Sequence, residues 1–337
     1  MIAAPLGAVT RLDLWGYRVP LIRPLRLGDR TIADRAGLLL EWRRVQGSDI
    51  WSEIAPLPGF SRESLQDCIT QCREFFAVSR FHHVDALLKA LPEGIAPAVR
   101  FGLESGCLQL SQAMPSPGPA ASCRLIGPDD AIDPEALKAA ACLKLKVGNE
   151  DPGVDLDRIQ RLLDAACPGV RLRLDANRAW SLEQAAALFA ALDGRRIEYL
   201  EEPLRPGLSY AGWADRIGIP FAWDETLREE TAADLDTPGL GALVLKPMLT
   251  GLTRTRDRVD QARARGITVV LSAAYESNLS LDFYARLAAH WGIEGPHGFD
   301  TFRPFSMALL QPLRHVHDPV ERPILGRDRL ESLGRLL

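Results

Sequence analysis

The sequence predicts an α/β protein in which a (β/α) barrel carries a smaller α+β capping domain, and three observations lead to that prediction. Between Ala141 and Pro247, charged residues close one short apolar run after another: Lys144 and Lys146, Asp175, Glu201, Asp224 and Lys246. Their gaps, 175−146 = 29, 201−175 = 26, 224−201 = 23 and 246−224 = 22, match βα units of about 20 to 30 residues in a parallel barrel. Before that region two strand-like runs follow each other without a helical stretch between them, which is the pattern of an antiparallel sheet. The 337 residues exceed the roughly 250 of a barrel by enough for a second, smaller domain.

The elements follow in order. Within a β-like stretch from Ala8 to Glu53, Leu12-Asp13-Leu14-Trp15-Gly16-Tyr17-Arg18-Val19 alternates, and Gly37-Leu38-Leu39-Leu40-Glu41-Trp42 follows a loop rich in Arg and Asp. Residues 61–78 and 83–91 read as helices, with Ser61 as the expected N-cap and Glu63 near it. The stretch Pro92-Glu93-Gly94-Ile95-Ala96-Pro97 marks the expected boundary, giving a capping domain over 1–97. A helix from Ala98 to Leu110 leads into the first barrel strand, Cys123-Arg124-Leu125-Ile126-Gly127. Strands two to six end at the charged residues above, Ile267-Thr268-Val269-Val270-Leu271-Ser272 is the seventh, and a weak eighth lies near His297-Gly298-Phe299-Asp300. The barrel is thus expected over 98–302, and the Pro-interrupted segment 303–337 is expected to return to the capping domain.

Composition narrows the function class. With 40 Lys+Arg against 44 Asp+Glu, a formal charge of −4 and no charge block, nothing suggests a nucleic-acid or membrane partner, so the expected partner is a small-molecule substrate. The six cysteines form no C-x2-C pair and read as reduced and mostly buried, as in a cytoplasmic protein. The first residues, Met1-Ile2-Ala3-Ala4-Pro5-Leu6-Gly7, break their apolar run too early for a signal peptide, and no stretch approaches a membrane span.

Side chains at successive strand ends converge on one rim of a barrel. Three carboxylates there, Asp175, Glu201 and Asp224, repel one another unless a divalent cation holds them, and oxygen-only ligands select a hard ion, Mg2+ first and Mn2+ as an alternative. Lys146 on strand two and Lys246 on strand six face each other across a circle of eight. Such a site suits removal of a proton α to a carboxylate, because metal and ammonium stabilise the enediolate that forms. A lysine close to other cations has its amine form favoured and can act as the base. Taken singly, each lysine is compatible with a surface salt bridge and each acid with a helix N-cap; the ordered set at barrel spacing is what points to one site.

Together, Lys144-x-Lys146, Asp175-x-Asn177, Glu201-Glu202-Pro203, Asp224-Glu225 and Lys246-Pro247 resemble the muconate-lactonizing subgroup of the enolase superfamily. The longer runs Arg171-Leu172-Arg173-Leu174-Asp175-Ala176-Asn177-Arg178-Ala179-Trp180, Trp223-Asp224-Glu225-Thr226-Leu227-Arg228-Glu229 and Trp51-Ser52-Glu53-Ile54-Ala55-Pro56-Leu57-Pro58-Gly59-Phe60-Ser61 are similar to the o-succinylbenzoate synthase family within it. The resemblance implies a barrel of the modified TIM type. It also implies a Mg2+-dependent syn dehydration of 2-succinyl-6-hydroxy-2,4-cyclohexadiene-1-carboxylate to 2-succinylbenzoate, a step of menaquinone or phylloquinone biosynthesis. Carried onto this chain, Asp175, Glu201 and Asp224 hold the metal, Lys146 takes the α-proton and helps hydroxide leave, and Lys246 stays charged on the opposite face. Lys144 and Arg173 are then expected to bind carboxylate oxygens, and Asn177 to orient neighbours of the metal. Mobile loops map onto Val19–Arg35 and Pro56–Ser61, placing Phe60 over the substrate. Ser272 and Ala273 lie where relatives bind the succinyl carboxylate; with alanines in place of serines, backbone N–H groups are expected to make that contact.

The nearest rival is an N-acylamino acid racemase or dipeptide epimerase of the same superfamily, which uses both lysines as base and acid. Such epimerases carry Asp-x-Asp on the last strand, whereas Asp300-Thr301-Phe302 lacks the second acid. A non-catalytic metal-binding barrel is the reading from a different class, opposed by the presence of both lysines. His82-His83 and His315-x-His317 lie away from the rim acids in strand order and read as surface or packing residues, and Trp180 and Trp223 as packing beside the motifs.

Overall fold

The computed structural model of the chain describes residues 9–28, 30–78, 81, 83–127, 130, 137, 140–148, 152–229, 233–317 and 320–337; the Met1–Ala8 stretch and His82 lie outside them. An antiparallel sheet joins Val9–Leu27 (β1), Arg30–Arg44 (β2) and Ile50–Ile54 (β3) to Glu331–Arg335 (β13) from the far end of the chain, in the order β13-β1-β2-β3. On one face the directly opposed pairs Leu12 with Trp42 and Leu14 with Leu40 are fully buried. Helices Leu65–Val78 (α1), Val84–Lys89 (α2) and Pro97–Ser111 (α3) follow. The last begins with proline in its first turn, where no amide donor is lost. It lies tightly on the sheet: a Cβ on Gly102 would collide with Ile54, and one on Gly106 with the Trp42 indole.

One expectation is corrected here. The cap of α1 is Ser64, not Ser61: the Ser64 hydroxyl accepts from the Asp67 N–H at 3.1 Å while the Asp67 carboxylate accepts from the Ser64 N–H at 2.8 Å. The Ser61 hydroxyl instead accepts from the Leu57 N–H at 2.9 Å and closes the Pro56–Ser61 turn.

A seven-stranded parallel sheet forms the second layer. Its strands are Arg124–Ile126 (β4), Cys142–Lys146 (β5), Arg171–Asp175 (β6), Ile197–Glu201 (β7), Phe221–Trp223 (β8), Leu240–Leu245 (β9) and Thr268–Leu271 (β10), and they neighbour one another in chain order. Among the described residues the helices are Pro152–Ala165 (α4) after β5, Leu182–Ala190 (α5) after β6, Trp213–Arg216 (α6) after β7, Pro247–Thr250 (α7) and Leu252–Arg263 (α8) after β9, and Asn278–Trp291 (α9) after β10. The eighth position is filled by His297 and Gly298, which bridge Ser122 on one side and Ser272 on the other and so bring the sheet round into a barrel. Two short strands, Ala308–Leu309 (β11) and Ile324–Leu325 (β12), pair in the segment that leads back to β13.

Cap and barrel are fastened by buried polar groups. Glu53 of β3 accepts from the Ser277 N–H at 3.1 Å and hydroxyl at 2.8 Å, at the start of α9, and from the Tyr17 hydroxyl. Glu104 of α3, a helix expected at the start of the barrel but packed on the cap sheet, does the same for α8, accepting from the Leu252 and Thr253 N–H groups and from the Thr253 hydroxyl at 2.7 Å. Both carboxylates thereby satisfy amide donors that a helix cannot satisfy itself. Arg35 of β2, 1% exposed, donates to the carbonyls of Ala55, Pro56 and Tyr275, tying the sheet and the Pro56–Ser61 turn to the loop after β10.

Candidate active site

Strand alternation and register assemble the site. Lys146 pairs with Asp175 and Asp175 with Glu201 in the parallel ladders, so the strand ends stand at one height. Residues two positions earlier share the same face, about 7 Å lower along the strand. That lower layer contains Tyr199, Ala222, Ala242, Val244 and Val270, a plug that makes the barrel interior a packed core beneath the rim.

At the rim Asp175, Glu201 and Asp224 are 3%, 1% and 3% exposed. The Lys144 ammonium lies between the first two, 2.7 Å from each Glu201 oxygen and 2.9 Å from Asp175. Lys246, from just beyond β9, donates to Asp224. Burial pushes the Glu201 carboxyl up to about 8, with Asp175 adding to the effect and Lys144 opposing it. Burial also raises Asp175, but Lys144 and Lys146 outweigh it and hold that carboxyl below its ordinary value. Burial works against both ammoniums, yet Asp175 and Glu201 hold Lys144, and Asp224 holds Lys246, in the charged form. Lys146 is exposed at the mouth and, among the described residues, has no ion-pair partner.

Among the described residues no three acidic, histidine or cysteine side chains stand as a ready-made metal shell. The donor set nevertheless fits a hard divalent ion. Among the described residues Asp224 Oδ1 is buried without a hydrogen-bond partner, the Glu201 carboxyl is driven toward neutrality by burial and by Asp175, and all three candidates offer oxygen. Asp175, Glu201 and Asp224 are the residues that could hold Mg2+, with Lys144 and Lys246 now occupying part of their coordination.

Three expectations change. Arg173, 2% exposed, sits a layer below Asp175 and is saturated there: it forks onto Glu198 at 2.9 and 3.0 Å, donates to the Pro296 carbonyl at 2.8 Å and stacks over Tyr199 at 5.1 Å. It does not reach the rim to meet a carboxylate. The N–H of Ala273 donates to the Gly298 carbonyl at 2.9 Å, and that of Ala274 to Glu276, so neither is open to a ligand; the Ser272 hydroxyl faces Gly298 at 3.4 Å. Asn177 orients Asp175 through its backbone N–H, at 3.2 Å from Oδ1, while its side chain is exposed. Phe60, 36% exposed, lies in the Pro56–Ser61 turn, whose Leu57 packs with Leu27, Leu249 and Ala274 at the junction of cap and rim.

Other residues around the site escaped the sequence reading. Glu202, buried, accepts from the Asp224 N–H at 2.9 Å, the Thr226 N–H at 2.7 Å, the Thr226 hydroxyl at 2.9 Å and Arg178 Nε at 3.1 Å. It braces the loops after β6, β7 and β8, the three strands that deliver the acids. Alternation alone turns Glu202 away from Glu201; a φ of 41° redirects it. Its place directly after Glu201 was the available signal. Asn177, Arg178 and Tyr275 also have positive φ, so four of the five such non-glycine residues among those described border this rim, where strained backbone often marks function.

Comparison with known proteins gives the chain its family. Residues 134–318 match the family described as "Enolase C-terminal domain-like", and residues 9–110 match "MenC, N-terminal domain". The chain is 35% identical over 328 residues to an o-succinylbenzoate synthase of Escherichia coli, covering 95% of this chain and 98% of that one. It is 33% identical over 328 residues to the o-succinylbenzoate synthase of an Enterobacter species, with the same coverage of 95% and 98%. Among solved structures, an o-succinylbenzoate synthase of Thermosynechococcus elongatus, complexed with Mg in its active site, superposes with a TM-score of 0.70 at 28% identity, over 87% of this chain and 94% of that one. The L-Ala-D/L-Glu epimerase of Bacillus subtilis superposes with a TM-score of 0.75 at 20% identity, over 90% and 93%, which shows the shared fold alone. Sequence identity along nearly the whole length separates these neighbours where fold likeness does not, and the chain belongs to the o-succinylbenzoate synthase family, an enzyme family of the enolase superfamily.

Proposed function

We propose that this chain catalyses the Mg2+-dependent syn dehydration of 2-succinyl-6-hydroxy-2,4-cyclohexadiene-1-carboxylate to 2-succinylbenzoate and water, in menaquinone or phylloquinone biosynthesis in the cytoplasm. The observation that carries the reading is the unequal state of two lysines around three buried acids: among the described residues Lys146 has no ion-pair partner at the mouth, whereas Asp224 holds Lys246 charged. A lysine without an ion-pair partner is the one free to take the α-proton and return it to the departing hydroxide on the same face. A fixed ammonium on the opposite wall stabilises the negative charge that develops between these two events. Asp175, Glu201 and Asp224 would hold Mg2+, or Mn2+, which supplies further stabilisation of charge on the substrate carboxylate. Lys144, displaced from Glu201 by the metal, would stay within reach of the same carboxylate. The Val19–Arg35 hairpin and the Pro56–Ser61 turn would exclude water.

The racemase and epimerase reading shares the lysines, but Asp300 gives it no support. That acid accepts from the Leu125 N–H at 2.9 Å and lies 3.5 Å from Arg303, so it is not presented to a substrate amino group. The test is loss of diene absorbance on adding purified protein and Mg2+, abolished by a chelator and restored by Mg2+ in excess. Absence of Mg2+-dependent turnover would sink the reading.

A further inference from the structure

Tyr275 is the side chain at the rim that neither the sequence reading nor the proposed chemistry employs. It follows β10 with a φ of 59°, a conformation that costs an aromatic residue energy and persists only where its surroundings impose it. The imposition is visible: Arg35, locked between the sheet and the Pro56–Ser61 turn, grips the Tyr275 carbonyl at 2.9 Å. The ring packs against Leu27, Leu57, Leu249 and Ala274 together with Leu25 and Ile32, between the hairpin and turn of the cap and the barrel rim. Leu249 lies three residues beyond Lys246, in α7 after the neighbouring strand β9, so the ring stands on the cap side of the rim beside the lysine that pairs with Asp224. Among the described residues the hydroxyl has no hydrogen-bond partner.

The two alanines at this end of β10 offer an anion no donor. The Ala273 and Ala274 N–H groups are taken by Gly298 and Glu276, and no side-chain donor stands at either position. The substrate in the proposed reaction is a dianion. One carboxylate belongs with the metal acids; the other must find a donor elsewhere, since a carboxylate desolvated without one is strongly disfavoured. We propose that the Tyr275 hydroxyl donates a hydrogen bond to the second, side-chain carboxylate of the substrate and so selects diacids over monoacids. This rests on the proposed function, and it assigns to a strained tyrosine the contact that backbone amides were expected to make. Partial burial raises the phenol above its ordinary value, so it keeps its proton to donate, which suits the role.

The test compares binding of 2-succinylbenzoate with that of 2-butyrylbenzoate, in which a methyl replaces the side-chain carboxyl, by calorimetry in the presence of Mg2+. Wild type should prefer the diacid, and Tyr275→Phe, which keeps the ring packing, should shrink that preference by about tenfold, the scale of a lost hydrogen bond to a charged group. Tyr275→Asn, a residue that tolerates positive φ, should shrink it likewise. In turnover the Phe variant should raise KM by a similar factor, with a much smaller fall in kcat. An unchanged preference in both variants overturns the proposal. So does a loss confined to kcat, which would place the phenol at the reacting carbons instead. A wild type that binds the diacid but does not convert the diene overturns the proposed function alone, whereas one that binds neither compound overturns both.

Discussion

Two polar layers lie one above the other inside this barrel, and they differ in how completely their groups are satisfied. In the lower layer Arg173 meets Glu198 with two bonds, the Pro296 carbonyl with a third and the face of Tyr199 with its plane. At the rim, among the described residues, Asp224 Oδ1 has no hydrogen-bond partner and only Arg228 at 3.9 Å, Glu201 is held near neutrality, and Lys146 has no ion-pair partner. Both layers come from the same period-two alternation along the same strands. The difference teaches that polarity inside a barrel does not mark function by itself; unmet hydrogen-bonding and charge capacity does.

The largest expected effect comes from breaking the open layer at its free amine. Lys146→Arg leaves a cation that does not deprotonate, and turnover should fall by at least about a thousandfold. Lys246→Arg keeps the charge and should retain measurable dehydration. Solvent-deuterium exchange into a non-eliminating analogue separates them: exchange should survive in Lys246→Arg and vanish in Lys146→Arg, and the opposite pattern would reverse the roles.

The saturated layer should answer in stability instead. Arg173→Met strips Glu198 and the Pro296 carbonyl of their partner and should cost about 3 kcal/mol in denaturant unfolding, toward the low end for a broken buried pair because Glu198 keeps some exposure. The variant that remains folded should still bind Mg2+. Loss of metal binding without loss of stability would contradict the division into layers.

Ionisation sharpens the contrast. Glu201 is raised from 4.5 to about 8 when folded, so the native state binds its proton more tightly than the unfolded chain does. Metal-free protein should therefore be favoured by this group below about pH 4.5 and should lose that contribution as pH rises through about 8. Mg2+ at a hundred times its dissociation constant should add about 2.7 kcal/mol and flatten the slope, since the ion favours the carboxylate. Thermal unfolding at pH 6 and 8.5, with and without Mg2+, reads both; a metal-free slope of the opposite sign would mean that Glu201 is already ionised.

The smallest expected effect lies furthest from either layer. Phe60→Ala in the Pro56–Ser61 turn should raise KM by about fivefold to tenfold through lost apolar contact while leaving Mg2+ affinity unchanged. An unaltered KM would remove the turn from the lid.

The rim was legible in the sequence because a charged residue closing an apolar run every 22 to 29 positions fits the βα period of a parallel barrel and little else. The strand ends at Lys146, Asp175 and Glu201 therefore fall where the pattern puts them. What escaped it depended on depth or on φ. Arg173 and Asp175 look alike in an alternating strand, and only the partners Glu198 and Pro296 reveal that one is buried machinery of the fold. Glu202 and Tyr275 break the alternation by left-handed backbone, which no propensity encodes for glutamate or tyrosine. The eighth position, expected as a weak strand near His297–Asp300, does lie there, but its bridges involve His297 and Gly298 alone, which is why its signal was faint.

The two trans-acting caps have a consequence for recombination. Because Glu53 supplies the N-terminal acceptor of one barrel helix and Glu104 that of another, the barrel does not contain everything its own helices require. A chimera that joins this barrel to a relative's sheet and the helix α3 packed on it must import a carboxylate at both places, or it will leave amide donors stranded in a dry interface. Two contiguous stretches of sequence that look separable on paper are thus exchangeable only as a matched pair.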